Sequence, residues 1–568
     1  WSWLDYTVFS LTLFMSIFVA LIFGFSKNKP NTPDEYIFGG KKMPVIPILL
    51  SNIASSVSSI SLIGTTREAY YYGLQLIFIV SGIIVATVLL HFFYLPVFYN
   101  LKFASVFEYL EKRFNKLTRR LGSIFSSITE ILHLLVAIYS AGLTIADVFS
   151  IPFHIFTPIA CLLCTIYTAV GGLRGVVWVD SIQTVIMTLA VIVFIIFGII
   201  ELGGFRRLGE IVIEGGRSEL HISDWSPFVK YSPATLLISE SFITVFQIAL
   251  NQGLMQRYLS LSTFSKSKSV CIFTGAGQLL LHSLPVFFGL IIYATYHDCD
   301  PAMSKLLKDS NKLVTYYISE KAVKIPGFGG LFVAGILSAS YSSMSTVMNS
   351  VSAKIFEDLV KPIFPWELSM AQSSLVMKSI VVIVGSVVTL GTLAINTNSS
   401  ILQLYYTFNG FTASFVIFVF NFGLFWRKSN SKAAIIGGLA GTIVSIWLSL
   451  GIQTAVDSGK ISYSTKIVSI EGCSQNITEH LNLNMTTMGY RGYLPVTFSE
   501  DLAYPYRISF VLIIPIGFLV SAVVGFIVTL FTSSEVCDDE TLLIPLLKRR
   551  NYTTSTEEEM EQLNINTM

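Results

Sequence analysis

Ser51-Asn52-Ile53-Ala54-Ser55-Ser56-Val57-Ser58-Ser59-Ile60-Ser61-Leu62-Ile63-Gly64 places six serines among the eleven residues 51–61, inside an otherwise apolar stretch. Serine hydroxyls compete for the backbone's own hydrogen bonds, so this stretch fits a helix that is interrupted part-way. Taken alone it fits equally a face of small residues along which helices pack. A second run, Ser338-Ala339-Ser340-Tyr341-Ser342-Ser343-Met344-Ser345-Thr346, changes that balance. An unwound helix that frees carbonyl oxygens, set opposite a second helix offering paired hydroxyls, is how membrane-embedded sites hold a hard monovalent cation without an acid for every charge.

The surroundings of these runs require a membrane. Of 568 residues, 53% are hydrophobic and 13% charged, and the mean hydropathy is +0.67. Soluble domains carry about 45–50% apolar and about 25% charged residues, and one aqueous core cannot hide 43 Phe and 25 Tyr. With 6 Cys the chain is no disulfide scaffold, and a net charge of +2 gives no reason to expect nucleic acid as a partner. No GxxxxGK[ST], HExxH or GxSxG occurs, so ATP-driven pumping and common hydrolase chemistry lack their parts, and the chain is not read as an enzyme.

Hydropathy predicts an all-α polytopic protein with thirteen spans, near 5–25, 42–63, 74–98, 121–148, 151–172, 177–202, 234–257, 270–296, 326–352, 375–394, 400–425, 433–452 and 507–532. Residues 5–25 are too long and too apolar for a signal h-region and lack a small-residue cleavage site, so they are read as a retained span. The start at Trp1 instead of Met is read as a missing initiator segment. Lys27, Lys29 and Lys41, then Lys102, Lys112, Arg113, Lys116, Arg119 and Arg120, then Lys266 and Lys268 fall in short loops of one parity. The short loops of opposite parity carry only Arg67. The positive-inside rule makes the first set cytoplasmic, which puts the N-terminus outside and the C-terminus in the cytosol. The loop 453–506 then lies outside, with sequons at Asn476 and Asn484 as expected glycosylation sites, and a plasma-membrane location follows. A third sequon at Asn398 sits where a short outer loop meets a span. Cys299 and Cys473 both fall outside, where a disulfide between them would persist, whereas Cys161, Cys164 and Cys537 are expected as free thiols. The tail 533–568, ending in Glu557-Glu558-Glu559 and an Asn/Thr-rich stretch, is expected to be a disordered cytoplasmic segment.

Polar groups at membrane depth face a cavity or a partner. Gly171-Gly172 makes a turn, and Asp180 follows about one turn inside the next span, where it would either attract a cation leaving the site or pair with Arg174 or a lysine. Glu130 and His133, one helical turn apart, would relay a proton or satisfy each other, with mutual satisfaction the favoured reading. His91 and His282 read as isolated interior histidines, and Asn251, Gln252 and Gln256 lie near a cytoplasmic exit.

Together these residues resemble the sodium/solute symporter family, and within it the branch of multivitamin, monocarboxylate and iodide transporters, from about residue 36 to about 530. Gly171-Gly172 through Trp178-Val179-Asp180 and Gln183 is similar to the family's diglycine–tryptophan–aspartate signature. Asn251-Gln252 with Gln256-Arg257-Tyr258-Leu259-Ser260 resembles the branch's NQxxxQRYLS stretch, and Cys299-Asp300-Pro301 an outer-loop CDP. Gly330 to Gly335, Ser342-Ser343, Asn349 and Glu357-Asp358 resemble the helix that carries the sodium site. The chain departs from the branch at Gly64-Thr65-Thr66-Arg67-Glu68, which lacks a proline, at Tyr139-Ser140-Ala141, at Val179, and at Ala413-Ser414-Phe415.

The resemblance implies a core of two inverted five-helix repeats, 42–202 and 234–425, each opening on a discontinuous helix. Residues 1–41 would add one span and a loop, 426–532 two C-terminal spans with the glycosylated outer loop. It implies that Na+ is held by the carbonyls of Ala54, Val57 and Ala339 and the hydroxyls of Ser342 and Ser343, with Asp180 below it on the exit path. Ser58, Ser61 and Tyr139 would line the substrate cavity. It implies secondary active transport within the bilayer, in which sodium entry drives uptake of a small organic or inorganic anion such as a vitamin, a monocarboxylate or iodide. A sodium-independent or proton-coupled carrier using Glu130, His133 or Asp180, and a non-transporting nutrient sensor, are the competing readings. The departures border the cavity, so they bear on the substrate more than on the sodium site.

Overall fold

The computed structural model describes residues 2–24 and 43–547 except 102, 221–224, 308, 365, 367, 396–398, 464, 474–495, 533–536 and 538. Asn398, Asn476, Asn484 and the last residues from 548 onward lie outside the described residues.

The protein is a helical, multi-pass membrane protein whose core is two inverted five-helix repeats, each opening on a discontinuous helix. Helix α1 (Trp3–Gly24) precedes the first repeat. That repeat opens with α2 (Val45–Ser56), which stops where Val57 turns extended (φ −100°, ψ 121°). The chain resumes in a π-helical turn over Ile60–Thr65 and continues as α3 (Thr66–Tyr72). Gly73, at φ 78°, reverses it, and a Cβ there would lie 2.5 Å from the Arg217 carbonyl oxygen, which accepts the Leu74 N–H at 2.7 Å. Helix α4 (Lys116–Phe149) follows, capped by the Asn115 side chain. Helix α5 (Phe153–Glu201) is 49 residues long, and Gly172 breaks its helical dihedrals at φ 55°.

The second repeat opens with α6 (Pro233–Thr244), started by a Ser232/Thr235 capping box with Pro233 in the first turn. A π turn over Val245–Ala249 leads to a break at Asn251, and α7 (Gln252–Leu259) leaves at 50° to the preceding segment. Then come α8 (Phe264–Thr295), α9 (Phe328–Lys354), α10 (Met370–Leu393), and the bent pair α11 (Ile401–Gly410) and α12 (Ala413–Phe425). Two further helices, α13 (Ser431–Asp457) and α14 (Ile513–Phe531), complete the described membrane part.

Among the described residues nine helices are long and apolar enough to cross a bilayer, or eleven if each bent pair is one span, against the thirteen expected. The difference lies in two long runs, Ile60–Leu101 and α5, that count once each although Gly73 and Gly172 interrupt them. At about 1.5 Å per residue, α5 is longer than two crossings of a ~30 Å hydrocarbon core require. Helix α9 is the most enclosed, 94% of its apolar window being buried, so its serines face protein.

Three expectations are corrected. Asp180 pairs with Arg257, a partner the sequence reading did not name. Glu130 is satisfied by Lys354 in place of His133, because the lysine on α9 faces it directly. The tail beyond 533 is not uniformly disordered: Leu542, Leu543 and Ile544 are buried, Tyr109 Oη donates to the Leu542 carbonyl at 3.0 Å, and Arg427 pairs with Glu540. An apolar triplet gains more from burial against the ends of the bundle helices than from water.

Candidate functional site

The interruption of the first helix turns Ala54 and Val57 toward α9. Ser342 Oγ lies 3.1 Å from the Ala54 carbonyl oxygen and 3.0 Å from that of Ala339, and Ser343 Oγ is 3.1 Å from the latter. Four neutral oxygens from two repeats thus gather at the spacing of neighbouring ligands around a small cation. Ala54, Val57, Ala339 and Ser342 are buried, and Ala54, Val57 and Ala339 share one small apolar cluster with Met187 and Leu281. The serine runs produce this geometry together: one breaks the helix that frees carbonyls, the other keeps an unbroken helix lined with hydroxyls.

Asp180 lies on α5 beside this group, wholly buried. It accepts from Ser51 Oγ at 3.0 Å, Ser345 Oγ at 3.2 Å, and Arg257 Nη2 at 2.9 Å. Arg257 Nη1 also donates to the Ser51 carbonyl at 2.9 Å, and Nη2 to Thr346 Oγ1 at 2.6 Å. One guanidinium therefore ties α7 to the end of α2, to α5 and to α9. Its fixed fork of donors suits such a junction better than a lysine would.

A cavity of about 40 Å³ adjoins the oxygen cluster. Ser55 and Ser56 of the broken helix, Gln247 in the second repeat's π turn and Asn409 of α11 line it, with Glu130 and His133 on the α4 wall. Ser343 and Thr346 close the side nearest the oxygen cluster. Asn409 Oδ1 is buried without a hydrogen-bond partner, Gln247 Nε2 donates to Tyr405 Oη at 2.8 Å, and the His133 ring meets Tyr405 edge-on at 5.4 Å. Ser58, Ser61 and Tyr139 are not among its lining residues: Ser58 is buried, and Tyr139 packs edge-on against Phe153. Gln247 and Asn409 went unmarked in the sequence because each stands alone in an apolar run. Only the break at Asn251 hinted that its neighbours face a cavity.

On the opposite side of the bundle, Glu68 at the end of the first discontinuous helix is held by Arg67 and, at 3.0 Å, by Lys230 Nζ. Burial outweighs the attraction of Glu68 and pulls the Lys230 ammonium down to about 8. Tyr70 Oη donates to Asp300 at 2.6 Å, and the next residue back, Cys299, is disulfide-bonded to Cys473. Gln252 pins the segment before α4, accepting from the Val106 N–H at 2.8 Å and donating to the Ala104 carbonyl at 2.9 Å.

Comparison with known proteins agrees with this architecture. The description of the sodium:solute symporter family matches residues 36–441. Sodium-coupled monocarboxylate transporter 1 of Xenopus laevis is 29% identical over 538 residues, 93% of this chain and 85% of that protein. The sodium-dependent multivitamin transporter of Oryctolagus cuniculus is 30% identical over 460 residues, 81% of this chain and 72% of that protein. The solved structure of a substrate-bound, outward-open Na+-coupled sialic acid symporter superposes with a TM-score of 0.73, covering 94% of this chain and 99% of that one at 20% identity. That last likeness is one of fold.

Proposed function

Because the chain belongs to the sodium:solute symporter family, with sodium as its coupling ion, we propose that it carries a small anion inward across the plasma membrane by alternating access. The N-terminus is outside and the C-terminus cytoplasmic. The Ala54, Val57 and Ala339 carbonyls with the Ser342 and Ser343 hydroxyls hold the sodium ion, and the ion leaves past Asp180. The observation that carries this reading is the approach of Ser342 Oγ to the Ala54 carbonyl, 3.1 Å across two repeats. An ion bound there bridges the repeats, so rocking one bundle against the other dismantles its coordination shell. Each charge crossing the field contributes about 2.3 kcal/mol per 100 mV, and the sodium concentration gradient adds to it. By linkage, a substrate that sodium helps to bind tightens sodium equally.

The cavity of about 40 Å³ beside Ser343 takes the substrate. The monocarboxylate transporter matches 93% of this chain and the multivitamin transporter 81%, which favours a short monocarboxylate or similarly small anion over a vitamin. His133, Asn409 and Gln247 are among the cavity's polar side chains, and Glu130 adds no net negative charge because Lys354 neutralises it. Uptake in a heterologous cell, tested against lactate, short-chain acids, iodide, biotin and pantothenate, decides the matter. Accumulation of the small anions alone fits this reading, and accumulation of biotin or pantothenate alone contradicts it.

A further inference from the structure

The Glu130 carboxylate on the cavity wall is met by an ammonium, not by solvent. Lys354 Nζ, fully buried at the end of α9, lies 2.8 Å from Glu130 Oε1 and 2.9 Å from Ser126 Oγ, with the face of Phe107 at 5.7 Å. Ser350 Oγ donates to Glu130 Oε2 at 3.1 Å, and Asn251 Nδ2 to Oε1 at 3.2 Å. Two side-chain oxygens of α4 thus hold one monovalent positive charge, and donors from α9 and from the break at Asn251 hold the carboxylate that faces it.

Stability alone does not account for such a pair. Well-packed apolar residues often replace a buried ion pair at no loss or with a gain, and an ionisable residue at membrane depth marks function by default. Glu130 and Ser126 stand on α4, and Lys354 and Ser350 on α9, whereas Asn251 sits at the break of the second discontinuous helix. Movement at that break changes the Asn251 contact and leaves the four α4 and α9 groups together.

We propose that the Lys354 ammonium is a tethered cation: it fills an oxygen site that Glu130 and Ser126 would otherwise offer to a mobile ion from the cavity, so this carboxylate carries no transported cation through the cycle. The inference rests on the reading of the cavity as part of the transport path. Without the lysine, Glu130 is an uncompensated carboxylate beside a polar cavity, to be neutralised either by a proton or by a captured sodium ion, and the count of bound sodium distinguishes the two.

The test is binding of radioactive sodium to the purified full chain, wild type, Lys354→Met and Glu130→Gln/Lys354→Met, with choline replacing sodium in the controls. The expected result is one further sodium ion per chain in K354M, returning to the wild-type number in the double variant. A wild-type number in folded K354M overturns the proposal. Should K354M be recoverable only in sodium and not in choline, sodium has taken the lysine's place, as expected. Recovery in neither salt, with the double variant recovered in both, shows that sodium cannot replace the lysine and also overturns it. Failure of the wild type to bind sodium at all contradicts the transport reading instead, and leaves the comparison between variants to be read separately.

Discussion

Asp180 and Arg257 meet at 2.9 Å with both side chains buried, joining α5 of the first repeat to α7 of the second. Arg257 also reaches Ser51 and Thr346, so the contact links α7 to both elements that bear the oxygen cluster. On the proposed sodium path, this pair would act as a latch beside the ion's exit.

Removing one partner strands the other charge. Asp180→Asn or Arg257→Gln alone is expected to cost about 3–5 kcal/mol, whereas the double variant, which leaves no unpaired charge, costs less than the sum. Thermal unfolding of the detergent-purified chains measures the cycle. Additive losses would show that the two groups do not depend on each other.

Ser343→Ala deletes one proposed sodium ligand without leaving a buried charge. A hydrogen bond or ligand contact to a charged group contributes about 1.5–3 kcal/mol, so half-maximal sodium activation is expected at a concentration roughly tenfold higher or more. Surface abundance should stay near wild type. An unchanged sodium dependence in an uptake assay would remove Ser343 from the site.

The disulfide closes a sequence separation of 174 residues between Cys299 and Cys473. Cys473→Ser is expected to lose about 2–4 kcal/mol of stability, read as a lower thermal midpoint. A reducing agent should lower the wild-type midpoint toward that of the variant and leave the variant where it is.

Lys230, paired with Glu68 of α3, links pH to stability. Its ammonium falls from 10.5 to about 8 because burial outweighs the pull of Glu68. Between about 8 and 10.5 the unfolded chain holds more protons than the folded one, so this group's contribution to stability rises with pH across that window. The thermal midpoint of the wild type relative to Lys230→Met should climb from pH 8 to pH 10, and a flat difference would refute the shift.

The broken first helix could be read from the sequence because its cause is local: serines at 51–61 compete for backbone hydrogen bonds where they stand. The same holds for the Gly171-Gly172 turn, where only the backbone of Gly172 needs φ 55°. Partners that depend on tertiary approach were hidden. Arg257 lies 77 residues from Asp180 and arrives only when the second repeat folds against the first, and Lys354 reaches Glu130 only through the packing of α9 on α4. The cavity shows the same division: Ser55 and Ser56, at the break, line it, whereas Gln247 and Asn409 come from elements whose approach no local pattern records. The docking of Leu542–Ile544 was not read from the sequence, because its receiving surface around Tyr109 and Arg427 forms only in the folded bundle.

The most direct test of sodium coupling at the junction of α2 and α9 is initial-rate uptake of radiolabelled lactate and iodide at fixed pH, with sodium replaced stepwise by choline. The account predicts that uptake of at least one of them follows sodium and disappears in choline, and that Ser343→Ala moves the curve to higher sodium. Uptake of the same rate in choline as in sodium would contradict it.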